Sequence, residues 1–82
     1  MFWRNNQNLW PELQIHSATE LGNLMRTRRE ALAIKQGDLA SSAGVDQSNL
    51  SKIERGTAKA TLDTYLRLCS ALGIDLLAEP RA

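Results

Sequence analysis

Hydrophobic residues recur at spacings of three and four in the segment that begins near residue 17, as expected for one face of a helix. The apolar positions of this stripe are Leu21, Leu24, Met25 and Leu32, and Arg28 follows the same spacing. Ser17 precedes the stripe and is followed three residues later by Glu20, which is the capping-box arrangement of a helix start. The pattern therefore predicts an amphipathic helix from about Ala18 to Leu32.

Two shorter helical patterns follow and are separated by a tight turn. The first runs from Gln36 to Ser42, and Gly44 marks its end because glycine readily adopts the left-handed conformation of a C-cap. Asp46 is a favourable N-cap for the second, which is predicted from Gln47 to Arg55. The apolar positions expected to pack inward are Leu39, Ala43, Val45, Leu50 and Ile53. Two short helices joined by a glycine-containing turn are typical of a DNA-reading unit.

A fourth helix and a short extended segment complete the pattern. Thr61 is the predicted N-cap of the helix, and Gly73 ends it. Its apolar stripe consists of Leu62, Tyr65, Leu66, Cys69 and Leu72. The next residues, Ile74 to Glu79, approach an alternation of apolar and polar side chains, which predicts a strand. A single strand needs a partner, because its backbone groups are otherwise unpaired.

The first sixteen residues form a separate, polar segment in which Pro11 would break any helix. Two interpretations are open for Trp3 and Trp10: chance aromatics in a flexible arm, or anchors that hold the arm against the domain or a partner. The pattern as a whole predicts three parts: an N-terminal arm over 1–16, a helical domain over 17–73 and a C-terminal strand and tail over 74–82.

Composition limits the class of protein. At 82 residues the chain is long enough for one compact domain, and its 43% hydrophobic and 23% charged residues are ordinary for a globular protein. One cysteine cannot form an internal disulfide, so a secreted disulfide scaffold is excluded and the reducing cytoplasm is the expected location. No apolar run approaches the length of a membrane span, about 20 residues.

The charge is balanced overall but uneven along the chain. Ten lysines and arginines against nine acidic residues give a net charge of +1. The stretch from Arg26 to Lys59 alone carries seven basic and four acidic residues, a net charge of +3. A basic middle is compatible with binding to phosphates, although the excess is small.

The outward face predicted for the third helix has the chemistry of a DNA-reading surface. Glutamine can bond in a bidentate way to adenine, and lysine can reach guanine, which makes Gln47 and Lys52 candidates for base contacts. Ser51 and Arg55 suit phosphates, as does Gln36 at the start of the second helix. The full set of candidate DNA-binding residues is Gln36, Gln47, Ser48, Asn49, Ser51, Lys52, Arg55 and Lys59. The alternative interpretation is a solvated polar helix face.

The segments Ile34–Ala40 and Gly44–Gly56 resemble the phage-repressor-like, Xre-type helix-turn-helix family, and the similarity extends over about Leu21 to Gly73. The resemblance implies a lambda-repressor-like, all-α fold of four to five short helices. It also implies that bases are read from the start of the third helix, here by Gln47, Ser48 and Lys52. A further implication is an ion pair between Arg29 in the first helix and Glu54 in the third.

The tail from Ala71 to Arg81 and the segment from Leu13 to Ser17 are similar to HipB-type antitoxins. That similarity implies a homodimer whose C-terminal β-strands pair with one another, repression of the chain's own operon, and binding to a HipA-type Ser/Thr kinase toxin. The residues implied at the dimer interface are Ile74, Leu76, Leu77 and Ala78. Several positions depart from the family pattern. They are Ala33, Lys35, Gly37 and Ala60.

Other chemistry has little support in the sequence. His16 has no cysteine or carboxylate cluster at ligand spacing, so no metal site is predicted. Cys69 lies on an apolar stripe and has no histidine partner, so neither a catalytic nucleophile nor any other enzyme activity is predicted. No cofactor is implied either.

The sequence thus predicts a homodimeric repressor of a palindromic DNA operator, acting as the antitoxin of a two-gene module. One alternative is a stand-alone phage or restriction-system regulator without a toxin. Another, of a different class, is a protein-interaction role in which the chain mainly neutralises a toxin kinase. The neighbouring gene separates the first two, and separate binding assays with operator DNA and with kinase test the third.

Overall fold

The computed structural model describes residues 13–81, and within them the chain folds into four α-helices. Their bounds are α1 Ala18–Ala31, α2 Gln36–Ala43, α3 Gln47–Arg55 and α4 Leu62–Leu72. These bounds agree with the predicted helices to within one residue. The predicted arm with Trp3 and Trp10 lies mostly outside the described residues. None of the helices is long and apolar enough to cross a membrane, as far as residues 13–81 are concerned.

Side-chain caps explain where three of the helices begin. Ser17 accepts a hydrogen bond from the backbone N–H of Glu20, and the Glu20 carboxylate accepts one from the N–H of His16, one residue before the cap. Asp46 caps α3, and Thr61 caps α4. The cap of α2 is Lys35, which makes no side-chain capping bond. The departure noted at this position therefore leaves the amide groups at the start of α2 without a side-chain acceptor.

The helices enclose one apolar core, in which α1 packs mainly on α3 and α2 packs on α4 and α3. Its buried residues are Leu21, Met25, Leu39, Ala40, Ala43, Leu50, Ile53, Tyr65, Leu68, Cys69 and Leu72. Every helix contributes to this set, so no helix can bury its apolar face without the others.

The core face of α4 differs from the prediction at two positions. Leu62 and Leu66 were expected inside, but both are exposed, and Leu68 is fully buried instead. The cause is the direction from which the other helices pack, which rotates the inward face of α4 toward Leu68. Tyr65, Leu68 and the residues one turn later share the inward direction, and the two exposed leucines lie at the rim of that face.

The predicted strand is not formed in this single chain, since residues 74–81 have no regular secondary structure. Ile74 is also half-buried against the chain's own core and donates its N–H to the carbonyl of Cys69. Ile74 therefore belongs partly to the core of its own chain, and only the exposed part of its side chain could contact a second copy. Leu76, Leu77 and Ala78 are exposed. A strand at this edge would need hydrogen bonds from a second strand, which a single chain does not offer.

The turn after α1 holds Ala33 in the left-handed region, with φ of 57°. This conformation disfavours residues that carry a Cβ atom, by about 1–2 kcal/mol. We expect Ala33→Gly to raise the free energy of unfolding by about 0.5–1 kcal/mol, after the larger backbone entropy of glycine in the unfolded chain is allowed for. The melting temperature should rise by about 2–8 °C. Ala71→Gly, at an exposed helical site in α4, is the matched control and should lower it.

Candidate nucleic-acid interface

The turn between α2 and α3 fixes the relative position of the two helices. Gly44 ends α2 in the left-handed conformation, with φ of 67°, and Val45 donates its N–H to the carbonyl of Ala40 at 2.9 Å. Asp46 then accepts bonds from the N–H groups of Ser48 and Asn49 and starts α3. Because glycine adopts a positive φ without strain, the chain can change direction between α2 and α3 within three residues.

α3 has one buried face and one polar face. Leu50, Ile53 and Glu54 point into the protein. At 100° per residue the opposite direction belongs to Ser48, Lys52 and Arg55, with Gln47 and Ser51 on one flank and Asn49 on the other. Of these six predicted site residues, five are exposed and Ser51 is half-buried. The structure therefore brings the predicted DNA-binding residues of α3 onto one continuous surface.

A buried ion pair ties α3 to α1. Arg29 donates from Nε to Glu54 Oε2 at 2.8 Å and from Nη2 to Oε1 at 3.0 Å, and its Nη1 donates to the carbonyl of Ile34 at 2.9 Å. The side chains are 13% and 1% exposed. The hydrogen bond to the carboxylate raises the pKa of Arg29 above its ordinary value, against the opposing effect of burial. Glu54 is the one buried charged residue among the described part of the chain.

Gln36 links this ion pair to the outer surface. Its Nε2 donates to Glu54 Oε1 at 3.1 Å, and its Oε1 accepts a long hydrogen bond of 3.5 Å from Gln47 Nε2. The sequence predicted Gln36 only as a phosphate donor and gave no sign of this link, because Gln36 lies in α2 whereas Gln47 and Glu54 lie in α3. The carbonyl oxygen of Gln47 lies beside Gly37, 3.1 Å from the position that a Cβ atom would take there.

Ser48 is less available as a donor than the sequence suggested. The Ser48 hydroxyl already donates its hydrogen to the carboxylate of Asp46, so toward an outside group it can act mainly as an acceptor. This bond and the backbone N–H of Asn49 hold the pKa of Asp46 below its usual range. The Asp46 carboxylate therefore stays negatively charged beside the start of α3 at neutral pH. A group that binds at Ser48 must tolerate this nearby negative charge.

Open cavities flank α3 on both sides. The larger, of about 320 Å³, contains Asn49 and Lys59, together with Arg67 of α4. The smaller, of about 140 Å³, is lined by Arg26, Arg29, Gln36, Ser51, Glu54 and Arg55. Lys59 therefore lies on the opposite side of α3 from Gln36 and Ser51. The candidate residues reach both flanks of the helix as well as its outer face.

Gly22 is a structurally important residue that the sequence analysis missed. It lies in the middle of α1, is buried, and faces the backbone of α3. A Cβ atom here would overlap the carbonyl oxygen of Ile53 and lie 3.1 Å from its carbonyl carbon. The sequence did indicate its importance. A glycine inside an amphipathic helix costs about 1 kcal/mol relative to alanine, so its presence points to a packing requirement.

Within residues 13–81, no metal-binding cluster and no exposed cysteine lies on this surface. The described residues contain no group of three or more histidine, cysteine or acidic side chains that could hold a metal ion. Cys69 is buried in the core, and this burial raises the pKa of its thiol.

Comparison with known sequences places this arrangement in a family. Residues 20–81 match a family described as a helix-turn-helix domain. An uncharacterised HTH-type transcriptional regulator, y4dL of Sinorhizobium fredii, is 33% identical over 57 residues, which is 70% of this chain but 29% of that protein. Antitoxin HipB of Escherichia coli K12 is 29% identical over 63 residues, or 77% of this chain and 72% of HipB.

Solved structures agree with the sequence relatives. The restriction-modification controller protein C.AhdI of Aeromonas hydrophila has a TM-score of 0.66 and 33% identity, over 71% of this chain and 88% of its own. A chain of the HipA–HipB–O2–O3 complex has a TM-score of 0.75 and 25% identity, over 87% of this chain and all of its own. The protein therefore belongs to the helix-turn-helix family of transcriptional regulators and is homologous both to HipB antitoxins and to Xre-type regulators such as C.AhdI.

Proposed function

We propose that this chain is a sequence-specific transcriptional repressor that places α3 in the major groove of double-stranded DNA. The observation that carries the proposal is the polar outer face of α3, held in a fixed direction by the Arg29–Glu54 pair. A major groove about 12 Å wide admits one α-helix, and the phosphate backbones then run along its two flanks. The two basic cavities beside α3 lie where those phosphates would pass.

Each part of the surface has its own role in this proposal. Gln47 and Lys52 read base edges, and Ser48 and Asn49 support them from the same turn of helix. Gln36, Ser51 and Arg55 contact phosphates on one flank, and Lys59 contacts phosphates on the other. Phosphate contacts fix the position of the helix, and base contacts select the sequence. Beyond the long bond to Gln36, the Gln47 amide has an acceptor oxygen and a second N–H, the two groups that an adenine edge requires.

The experiment that tests this function is selection from a library of randomised DNA duplexes, followed by sequencing of the bound fraction. We expect one motif to be enriched. For a dimer it should consist of two inverted half-sites whose centres are about 10 base pairs apart, which corresponds to one turn of DNA. An unenriched bound fraction would show that the chain binds DNA without sequence preference, and no bound fraction would exclude the repressor function.

We also propose that the chain acts as a homodimer joined through the exposed residues that follow Ile74. Leu76 and Leu77 are apolar and exposed, and the backbone around them has no strand partner among the described residues. Pairing with the same segment of a second copy would satisfy both needs and give a self-complementary, two-fold interface. The two-fold axis would also bring two copies of α3 to one side of a palindromic site.

Deletion of residues 75–82 is expected to produce a folded monomer that binds the selected palindrome weakly. The deletion keeps Ile74, because this residue packs on the core of its own chain. Sedimentation gives the mass, and titration with the duplex gives the affinity. A substitution pair provides a matched control: Leu77 and Leu62 are 68% and 69% exposed. Leu77→Ser should weaken the dimer, and Leu62→Ser should not. The reverse result would move the interface to α4.

As the biological setting we propose an antitoxin whose partner is a HipA-type Ser/Thr kinase toxin. The support is similarity to HipB over most of both chains, including HipB in its complex with HipA. The alternative is a stand-alone regulator that resembles C.AhdI. Its support is of the same type, because this chain is also similar to most of the C.AhdI chain. Co-expression with the product of the adjacent gene distinguishes the two. A stable complex with a kinase supports the antitoxin. An adjacent gene of a restriction system or phage supports the stand-alone regulator.

A further inference from the structure

The smaller of the two cavities beside α3 is an arginine-lined cup with the composition of an anion site. Its wall comes from two helices and the start of a third: Arg26 and Arg29 from α1, Gln36 from α2, and Ser51, Glu54 and Arg55 from α3. Three guanidinium groups therefore meet one carboxylate. Within the cup Glu54 is fully engaged by Arg29 and Gln36, so its charge is already compensated.

Arg26 and Arg55 are the two cationic groups of the cup that the ion pair does not use. Arg55 Nε contacts only the carbonyl oxygen of Ser51, at 3.3 Å, in the same helix. Arg26 Nε lies 3.3 Å from Glu30, and both of these side chains are about half exposed, at 52% and 56%. An exposed pair of this kind contributes about 0–1 kcal/mol, so Arg26 is released from Glu30 at little cost when a stronger anion arrives.

The polar uncharged groups of the cup also favour an oxyanion. Ser51 and Gln36 both line the cup, and a serine hydroxyl and the second N–H of the Gln36 amide can each donate to an oxygen atom. Guanidinium groups bind phosphate oxygens in a fork geometry that adds direction to charge. A phosphate group fits this donor set better than a carboxylate does, because its oxygens can meet donors from α1 and α3 at the same time.

We propose that this cup binds one phosphodiester group of the DNA backbone, and that Arg26 of α1 is a DNA-binding residue outside the helix-turn-helix unit. This inference rests on the proposed DNA-binding function. The cup lies on the flank of α3 that carries Gln36 and Ser51, so a duplex seated on the outer face of α3 brings a phosphate to its mouth. α1 thereby fixes the angle of α3 in the groove, since it is held to the same phosphate as Arg55.

The test compares Arg26→Gln with the unaltered protein in titrations of the selected duplex and of a scrambled duplex, at several salt concentrations. Each phosphate contact contributes about −0.9 to the slope of log K against log salt, which corresponds to about eightfold in affinity near 0.1 M salt. Because Arg55 remains on the same phosphate, we expect Arg26→Gln to lose up to about eightfold for each half-site on both duplexes, with the ratio between duplexes unchanged. Arg26→Lys should keep most of the slope.

A duplex carrying a single neutral methylphosphonate at each backbone position in turn locates the contact. At one position per half-site the neutral group should weaken the unaltered protein more than it weakens Arg26→Gln, because only Arg55 and the uncharged donors of the cup remain to lose a contact in the variant. If the unaltered protein selects its site and Arg26→Gln matches it in affinity and slope, the cup is not a phosphate site and the proposed function still stands. A changed ratio between the two duplexes would make Arg26 a base contact instead. Absence of any duplex binding overturns both the function and the cup.

Discussion

Glu54→Ala is expected to lower the free energy of unfolding by about 3–5 kcal/mol, the largest loss we predict for any single substitution in this chain. The reason is the position of the carboxylate, which is 1% exposed and accepts hydrogen bonds from both Arg29 and Gln36. Removing it leaves a guanidinium group in a mostly buried site without its counter-charge. It also frees Gln36, so Gln47 loses the group that orients it.

Urea unfolding followed by circular dichroism measures this loss, with Glu30→Ala as the control. Glu30 pairs with Arg26 over a similar distance, but both side chains are exposed, so its removal should change stability by less than 1 kcal/mol. Glu54→Gln keeps the size of the side chain and should fall between the two. Equal unfolding midpoints for Glu54→Ala and Glu30→Ala would contradict the structural importance of the buried pair.

Gly22→Ala is expected to be the next most damaging change, with a loss of at least about 2 kcal/mol. Alanine is the better helix former by about 1 kcal/mol, so propensity alone would make this substitution stabilising. Packing reverses the sign, because the added methyl group overlaps the carbonyl oxygen of Ile53 and backbone atoms of α3 cannot move aside as a side chain can. Overpacking of a well-packed core costs about 1–3 kcal/mol and occasionally more.

The neighbouring position supplies the control for this substitution. Asn23 is exposed in the same turn of α1, so Asn23→Ala has the propensity gain without the overlap. We expect the melting temperature to fall for Gly22→Ala, by roughly 8 °C or more for a domain of this size, and to stay level or rise for Asn23→Ala. A rise for both would mean that α1 and α3 are not in close contact at Gly22.

The helix bounds could be predicted closely because they depend on local chemistry. Ser17, Asp46 and Thr61 each accept a backbone N–H from the first turn that follows, and such capping is encoded within four residues of sequence. The turn at Gly44 is local in the same way, since its positive φ suits glycine. The composition of the α3 surface followed from the same local pattern.

Other features depend on how the helices meet and were not readable from one segment. Leu62 and Leu66 satisfy the helical spacing of α4, yet the direction from which α1 and α2 approach leaves them at the rim and buries Leu68. The contact between Gln36 and Glu54 joins residues 18 apart in the chain. A strand after Gly73 would need backbone hydrogen bonds from a second chain, and in the single chain residues 74–81 have no regular secondary structure.

Discrimination by Gln47 tests most directly whether the outer face of α3 reads DNA bases. The measurement is the affinity of Gln47→Ala for the selected duplex and for a scrambled duplex, each relative to the unaltered protein at the same salt concentration. A lost base contact should weaken binding to the selected site by about 1–3 kcal/mol, relax the preference at one position of each half-site, and leave scrambled DNA nearly unaffected. An equal loss on both duplexes would show that Gln47 contacts only the backbone, and unchanged affinity for both would contradict the claim that Gln47 reads a base.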